Sequence, residues 1–277
     1  MNLYVSCDME GTAGVSSWMQ VDPANGYEYP LYRRYMAREV RAAVDGAREG
    51  GATNVSINDS HWDMRNVLWD EMPPDVRVIS GSRKPWSMVQ GLDASFAGAF
   101  FTGYHAKIGD ANGALAHTYS PGTIYEVRMN GVACSEALLN AAMAGYYGVP
   151  VLLITGDRTI VEETQSHIPG LAGVIVKDSI GHYSADSISP AAAQNHIREA
   201  AREAMSRSKT IEPFRFDPPI EMLFSCAQAE SADFIALMPG FERLDGRTLR
   251  FAHDDYRMVF RAFLAAMRLG GAALAIA

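Results

Sequence analysis

Apolar positions come in short blocks along this chain, and the spacing within each block predicts an element. Residues 2–7 (NLYVSC) alternate weakly and predict a first strand. Residues 30–48 place Met36, Val40, Ala43, Val44 and Ala47 on one face with arginines opposite, the period of an amphipathic helix. Gly50 and Gly51 supply its stop. Residues 52–58 (ATNVSIN) read as a second strand, 75–80 (DVRVIS) as a short one and 96–102 (FAGAFFT) as a buried one. Asn130-Gly131 joins TIYEVRM to VACS as a hairpin, Ser135 caps a helix running to about Tyr147, and VLLITGD after Pro150 is a further buried strand.

The character of the chain changes at about residue 180. A long Ala- and Arg-rich helix (190–207) is followed by a Pro-rich link, EPFRFDPP. Then come a strand (IEMLFSC), a short helix (ADFIALM), a strand (RTLRFAHD) and a final helix (254–268). Alternating strands and helices predict an α/β fold, a mostly parallel sheet flanked by helices in a Rossmann-like three-layer arrangement. That domain is expected over residues 1–180, with a smaller α+β subdomain over 181–277.

Composition sets the class. The chain has 277 residues, 48% hydrophobic and 20% charged, which is an ordered globular composition. Its net charge of −8 and lack of a basic stripe argue against a nucleic-acid partner. Cys7, Cys134 and Cys226 are far apart and form no CxxC pair, so a reducing compartment is expected rather than a disulfide framework. Asp8 falls where the apolar region of a signal peptide would lie, and no apolar run, the tail LGGAALAIA included, reaches the length of a membrane span. These features predict a cytoplasmic protein.

Open parallel sheets gather ligands at the carboxyl ends of their strands. Three of the predicted strands end in metal-ligating side chains: Asp8 and Glu10 after the first, Asp59 and His61 after the second, His105 after the third. Residues i and i+2 of a strand point the same way, so Asp8 and Glu10 repel unless a cation lies between them or one stays protonated. Two carboxylates and two imidazoles suit Zn²⁺, and less selectively Mn²⁺ or Co²⁺, and one carboxylate bridging two ions removes the repulsion. A glycosidase pair is the competing reading of Asp8 and Glu10, but it leaves the histidines unexplained. No GxSxG, HExxH, Walker A or GxGxxG pattern is present. His117 is the other histidine expected at this edge, whereas His167, His182, His196 and His253 read as surface or structural. Arg83 and Lys84 in SGSRKPW are candidates for a substrate carboxylate or for a solvated turn. Asp157 and Arg158 stand at another strand end.

Six motifs, taken together and in order, resemble the DppA-type D-aminopeptidases, the zinc peptidase family M55. They are SxDMEG (Ser6–Gly11), NDSH (Asn58–His61), SG with KPxSMVxGLD (Ser80–Asp93), GYHA (Gly103–Ala106), AGYYxVPVL (Ala144–Leu152) and LMPG (Leu237–Gly240). The resemblance implies a self-compartmentalising aminopeptidase with two zinc ions per chain, acting on short peptides or amides with a free, D-configured amino end. By the same match, the metal ligands are Asp8 (the bridge), Glu10, His61, His105 and Glu136, and the catalytic residue is His117, as nucleophile or general acid/base. The implied assembly is a homo-oligomeric ring, a decamer with active sites facing an inner channel. The loop KIGDANGALA and the flanks Ala116 and Thr118 depart from the family pattern, which leaves the substrate open. Alternatives are an amidohydrolase of non-peptide amides, a metal-binding accessory protein of peptide uptake, and a structural ring protein.

Overall fold

The computed structural model describes residues 1–274; residues 275–277, the end of the apolar tail, lie outside the described residues. Among the described residues twelve strands run β1 (Asn2–Cys7), β2 (Asn54–Asp59), β3 (Arg77–Ile79), β4 (Gly98–Tyr104), β5 (Ile124–Met129), β6 (Val132–Ala133), β7 (Val151–Asp157), β8 (Ala172–Gly181), β9 (Ser184–Ser187), β10 (Ile220–Cys226), β11 (Glu242–Arg243) and β12 (Thr248–His253). The seven α-helices among the described residues are α1 (Trp18–Val21), α2 (Tyr29–Glu49), α3 (Glu136–Tyr146), α4 (Arg158–His167), α5 (Pro190–Met205), α6 (Ala229–Ile235) and α7 (Tyr256–Leu274). Neither α4 nor the β8–β9 hairpin was anticipated from the sequence pattern, and α7 runs past the expected end.

The large sheet has the order β3-β2-β1-β4-β7-β8-β9 and is parallel except for β9. Every residue of β4 and β7 is buried, as central parallel strands covered on both faces require. Travel from β1 through α2 to β2 goes one way across the sheet; travel from β4 through α3 to β7 and through α4 to β8 goes the other. Right-handed crossovers therefore set α2 on one face and α3 and α4 on the opposite one. α5 returns to pack along α2.

The smaller sheet is antiparallel, with the order β11-β12-β10-β5-β6. The hairpin β5–β6, formed across Asn130 and Gly131 at positive φ, pairs with β10 from the far end of the chain. Strand β10 alternates buried and half-buried residues, the pattern of a sheet with one face on a core. Helix α7 joins this sheet to α3.

The direction of travel across the sheet reverses between the parallel neighbours β1 and β4, so the crevice at their carboxyl ends is the topological switch point of the sheet. Register puts Cys7 level with Asp59 on β2 and Thr102 on β4. Past that level the two central chains almost touch: the Asp8 N–H donates to the Thr102 carbonyl and the Gly11 N–H to the Gly103 carbonyl, both at 2.8 Å. Only glycine fits here, since Gly103 has φ +68° and a Cβ on it would lie 2.2 Å from the Asp8 carbonyl oxygen. Gly103→Ala is expected to cost at least about 2 kcal/mol by urea denaturation and to spread the ends of β1 and β4; an unchanged midpoint would show the contact to be slack.

Candidate metal centre

Six titratable side chains meet in this crevice, all of them buried: Asp8, Glu10, His61, His105, His117 and Glu136. Four, Asp8, Glu10, His61 and His105, come from strand ends as the sequence predicts. His117 arrives on the loop after β4. Glu136 arrives by another route, as the first residue of α3, where the β5–β6 hairpin delivers it behind the N-cap Ser135. The Tyr119 N–H holds it from the other side, donating to Glu136 Oε1 at 2.6 Å.

The three imidazoles share one arrangement. Each has one ring nitrogen on a backbone carbonyl: His61 Nε2 on Val21 at 2.7 Å, His105 Nδ1 on Ala106 at 2.9 Å, His117 Nδ1 on Leu115 at 2.8 Å. A carbonyl only accepts, so these nitrogens carry the protons, and in the neutral rings the opposite nitrogens present lone pairs to the crevice. His61 Nδ1 faces Asp8 Oδ1 at 3.3 Å and Glu10 Oε2 at 3.0 Å. His105 Nε2 faces Asp8 Oδ2 at 3.5 Å and Glu136 Oε1 at 3.7 Å, and His117 Nε2 faces the same Glu136 oxygen at 3.8 Å. The rings of His105 and His117 stack at 4.2 Å. Acceptors thus face acceptors. His105 Nε2 and Glu10 Oε2 are buried without a hydrogen bond, a state that protein interiors rarely tolerate.

The chemistry of this donor set fits divalent cations. Nitrogen and carboxylate donors, with tautomers locked by backbone carbonyls, are what zinc-type centres use. Two ligand groups stand out, Asp8–Glu10–His105 and His105–His117–Glu136, each with donor atoms within 4.8 Å of one another.

Protonation balances the crowd when no cation is there. Burial, then the charge of Glu10, pushes the Asp8 carboxyl up to about 7. Burial, then Asp8, raises Glu136 well above the usual carboxylate range. Burial opposes charge on His61, but Glu10 and Asp8 outweigh it and hold the ring well above its ordinary value. Burial, with His117 beside it, lowers His105 to about 3, and burial also lowers His117.

Several residues that hold this geometry escape sequence reasoning. Lys177 lies fully inside the fold on β8 and donates to the carbonyls of Glu10, Thr12 and, at 2.7 Å, Val15. It therefore pins the loop that carries Glu10; burial lowers its pKa to about 8, which Asp157 and Glu39 oppose. Asp157 is more than a surface acid: it caps α4 and accepts the Ala106 N–H at 2.9 Å, anchoring the backbone beside His105, whereas Arg158 pairs with Asp178 and Glu162 at the surface. Asp59 turns away from the crevice and accepts from Asn66 and Val67, while Asn66 Nδ2 donates to the His61 carbonyl, so Asp59 shapes the His61 loop and ligates nothing. Lys84 Nζ is taken up by Asn58 Oδ1 and the Asp59 carbonyl, both at 2.5 Å. The His182 carbonyl accepts the Leu115 N–H, and the His182 ring stands near Trp18, so the β8–β9 turn supports the His117 loop. A lysine in a strand carries no sequence signal for such a role, because its acceptors lie some 160 residues away.

The crevice opens into a cavity of about 520 Å³ lined by Asp8, Glu10, His61, His117 and Glu136, with Trp18 and Trp62 among its walls. An open α/β fold with an acceptor-lined cleft at its switch point is the frame of a metal-assisted hydrolase. The chain belongs to the Peptidase M55 family of D-aminopeptidases, whose model matches residues 1–265. It is 35% identical over 270 residues to the D-aminopeptidase of Bacillus subtilis (strain 168), covering 95% of this chain and 96% of that protein. A solved structure of the Zn-dependent D-aminopeptidase DppA from Bacillus subtilis, described as a self-compartmentalizing protease, matches with a TM-score of 0.93 at 33% identity over 98% of each chain.

Lys177→Met is expected to destabilise the protein by about 3 kcal/mol in urea, because it strips a buried cation from three carbonyls and from Glu39 and Asp157. It should also weaken metal retention through dialysis, since the Glu10 loop loses its anchor. Parental stability and parental metal content together would remove Lys177 from this role.

Proposed function

We propose that this chain is a binuclear zinc aminopeptidase that cleaves short peptides or amides with a free, D-configured N-terminal residue. The observation that carries the reading is the inward convergence of three imidazole lone pairs and three carboxylates at the switch-point crevice. Asp8, Glu10, His61, His105 and Glu136 would hold the metals, with Asp8, whose two oxygens face His61 and His105 separately, as the bridge. When bound, such ions polarise an amide carbonyl and make water a nucleophile near neutral pH. The family supports peptide chemistry, and the Zn-dependent D-aminopeptidase of Bacillus subtilis supports zinc and the D-preference.

His117 is the catalytic candidate because, unlike His105, it lines the cavity. Burial keeps its ring neutral and Leu115 fixes its tautomer, so Nε2 is free to take a proton from water and return it to the leaving amine. Trp18, edge-on at 5.5 Å, limits its swing. The grouping of His117 with His105 and Glu136 favours a second reading, in which His117 is itself a ligand. Among the described residues thirteen large apolar side chains are exposed, Trp62, Ile180 and Leu237 among them. Together with the self-compartmentalizing relative they support a homo-oligomeric ring, for which we propose the decamer, and light scattering checks it. Among the described residues no helix is long and apolar enough to cross a membrane.

The deciding experiment is a panel of L- and D-aminoacyl amides and dipeptides, with and without N-acetyl caps. Cleavage of uncapped D-substrates supports the reading; activity confined to capped or non-peptide amides rejects the aminopeptidase. His117→Ala is expected to keep its metals and lose kcat roughly a hundredfold or more. Loss of metal along with activity would make His117 a ligand, and near-parental turnover would end its catalytic assignment.

The metals can be tested without turnover. Chelation is expected to lower Tm by more than about 5 °C, since bound ions stabilise only the folded chain. In the stripped protein the Asp8 carboxyl titrates near 7 against an ordinary 3.8. A raised carboxyl pKa means the fold binds the proton more tightly than the unfolded chain does, so stability falls as pH rises from about 4 to about 7. Asp8→Asn should therefore bind no metal and yet, at pH 8, make the stripped protein more stable than stripped wild type. A Tm below that of stripped wild type would assign Asp8 a structural role instead.

A further inference from the structure

Beside the cavity lies a second groove, of about 620 Å³, between α7 and the segment around Arg83, Lys84 and Pro85. Arg261 and Arg268 line it from α7, and no acidic residue does. In a chain of net charge −8 this concentration of cations is out of keeping with the rest of the surface. Several arginines here have acidic partners: Arg128, Arg158 and Arg250 pair with Glu126, Asp178 and Glu221. Among the described residues Arg83, Arg261 and Arg268 have none.

The groove is built rather than incidental. Spacings of four and seven residues put Arg257, Arg261 and Arg268 on one face of α7. Arg257 lies over the Trp86 ring at 5.7 Å and ties the helix to the facing segment. Lys84 staples that segment to the end of β2 through its bonds to Asn58 and Asp59, which leaves Arg83 outside, on a backbone held at φ +63°. Ser87 and Arg268 belong to the walls of both the groove and the metal cavity, so the two spaces adjoin.

The two adjoining spaces differ in charge. Asp8, Glu10 and Glu136 stand at one end, arginines at the other. A short peptide has the same polarity, an ammonium at one end and a carboxylate at the other. With the free amine and first amide at the metal crevice, the C-terminal carboxylate falls toward Arg268. A guanidinium fork matches a carboxylate bidentately and is weakly hydrated, so it is the side chain suited to that contact.

We propose that this groove binds the free C-terminal carboxylate of the substrate, with Arg268 as its anchor and Arg261 and Arg83 adding positive potential. The enzyme is then selective for short peptides ending in a free acid, over amidated peptides. The proposal rests on the aminopeptidase reading for the placement of the amine.

The test compares D-alanyl-D-alanine with its C-terminal amide. KM is measured on the metal-loaded wild type, and Kd by calorimetry on metal-loaded His117→Ala protein, in which turnover is slow. The free acid should bind about tenfold more tightly than the amide. In Arg268→Met that preference should shrink to within about twofold in both KM and Kd, and Arg268→Lys should recover part of it. Equal binding of acid and amide to the parental groove overturns the proposal. So does an Arg268→Met variant that weakens both ligands by the same factor, which would mark a packing role. If wild type cleaves neither peptide, the aminopeptidase reading fails, and Kd values on wild type itself still decide whether the groove prefers the carboxylate.

Discussion

Three buried carboxylates share one small volume with three imidazole nitrogens, and nothing between them in the protein can donate a hydrogen bond to all. The fold sustains this because each imidazole spends its proton on a backbone carbonyl, at Val21, Ala106 or Leu115. Those three carbonyls fix which nitrogen of each histidine faces the crevice. Desolvation makes the arrangement costly when empty of charge balance, and that cost is the driving force for taking up cations.

The rest of the crevice is organised to keep these groups from relaxing apart. Close approach of β1 and β4 through Gly11 and Gly103 leaves Asp8 and His105 no room to separate. Lys177 fixes the Glu10 loop, Asp157 the His105 loop, and Asp59 with Asn66 the His61 loop. Beneath them Ser6, Ser60, Tyr104 and Asn140 form one hydrogen-bonded chain that joins β1, β2, β4 and α3. The small antiparallel sheet has its part as well, since it sets the hairpin from which α3 and Glu136 start. Chemistry placed on strand ends is thus held by buried polar contacts from the neighbouring elements, as a preorganised site needs.

Function then follows from where water and substrate can reach. His61 and His117 border the cavity and His105 is sealed behind them, so the three histidines divide into inner and outer groups. The wall shared with the basic groove at Arg268 gives the site a second, oppositely charged end. A cleft that reads both ends of a short peptide does not need a deep specificity pocket, because length and charge do much of the selection.

By itself the sequence determined the parallel α/β core, the strand ends that bear Asp8, Glu10, His61 and His105, and the family, because hydrophobic period and strand-end polarity are local signals. Glu136 was legible only through the family motifs, since a hairpin carries it, and His117, expected at this edge from its loop, took its catalytic role from them. Tertiary structure alone decided which strand-end acids enter the crevice: Asp8 does, whereas Asp59 turns to its own loop. It also decided the buried role of Lys177, the anchoring role of Asp157 and the meeting of Arg83 with Arg268 in one groove. Those outcomes depend on contacts between residues 50 to 190 positions apart, and side-chain type and spacing encode no such partner. The direction of a charged group is chosen by the acceptors that the folded chain brings to it.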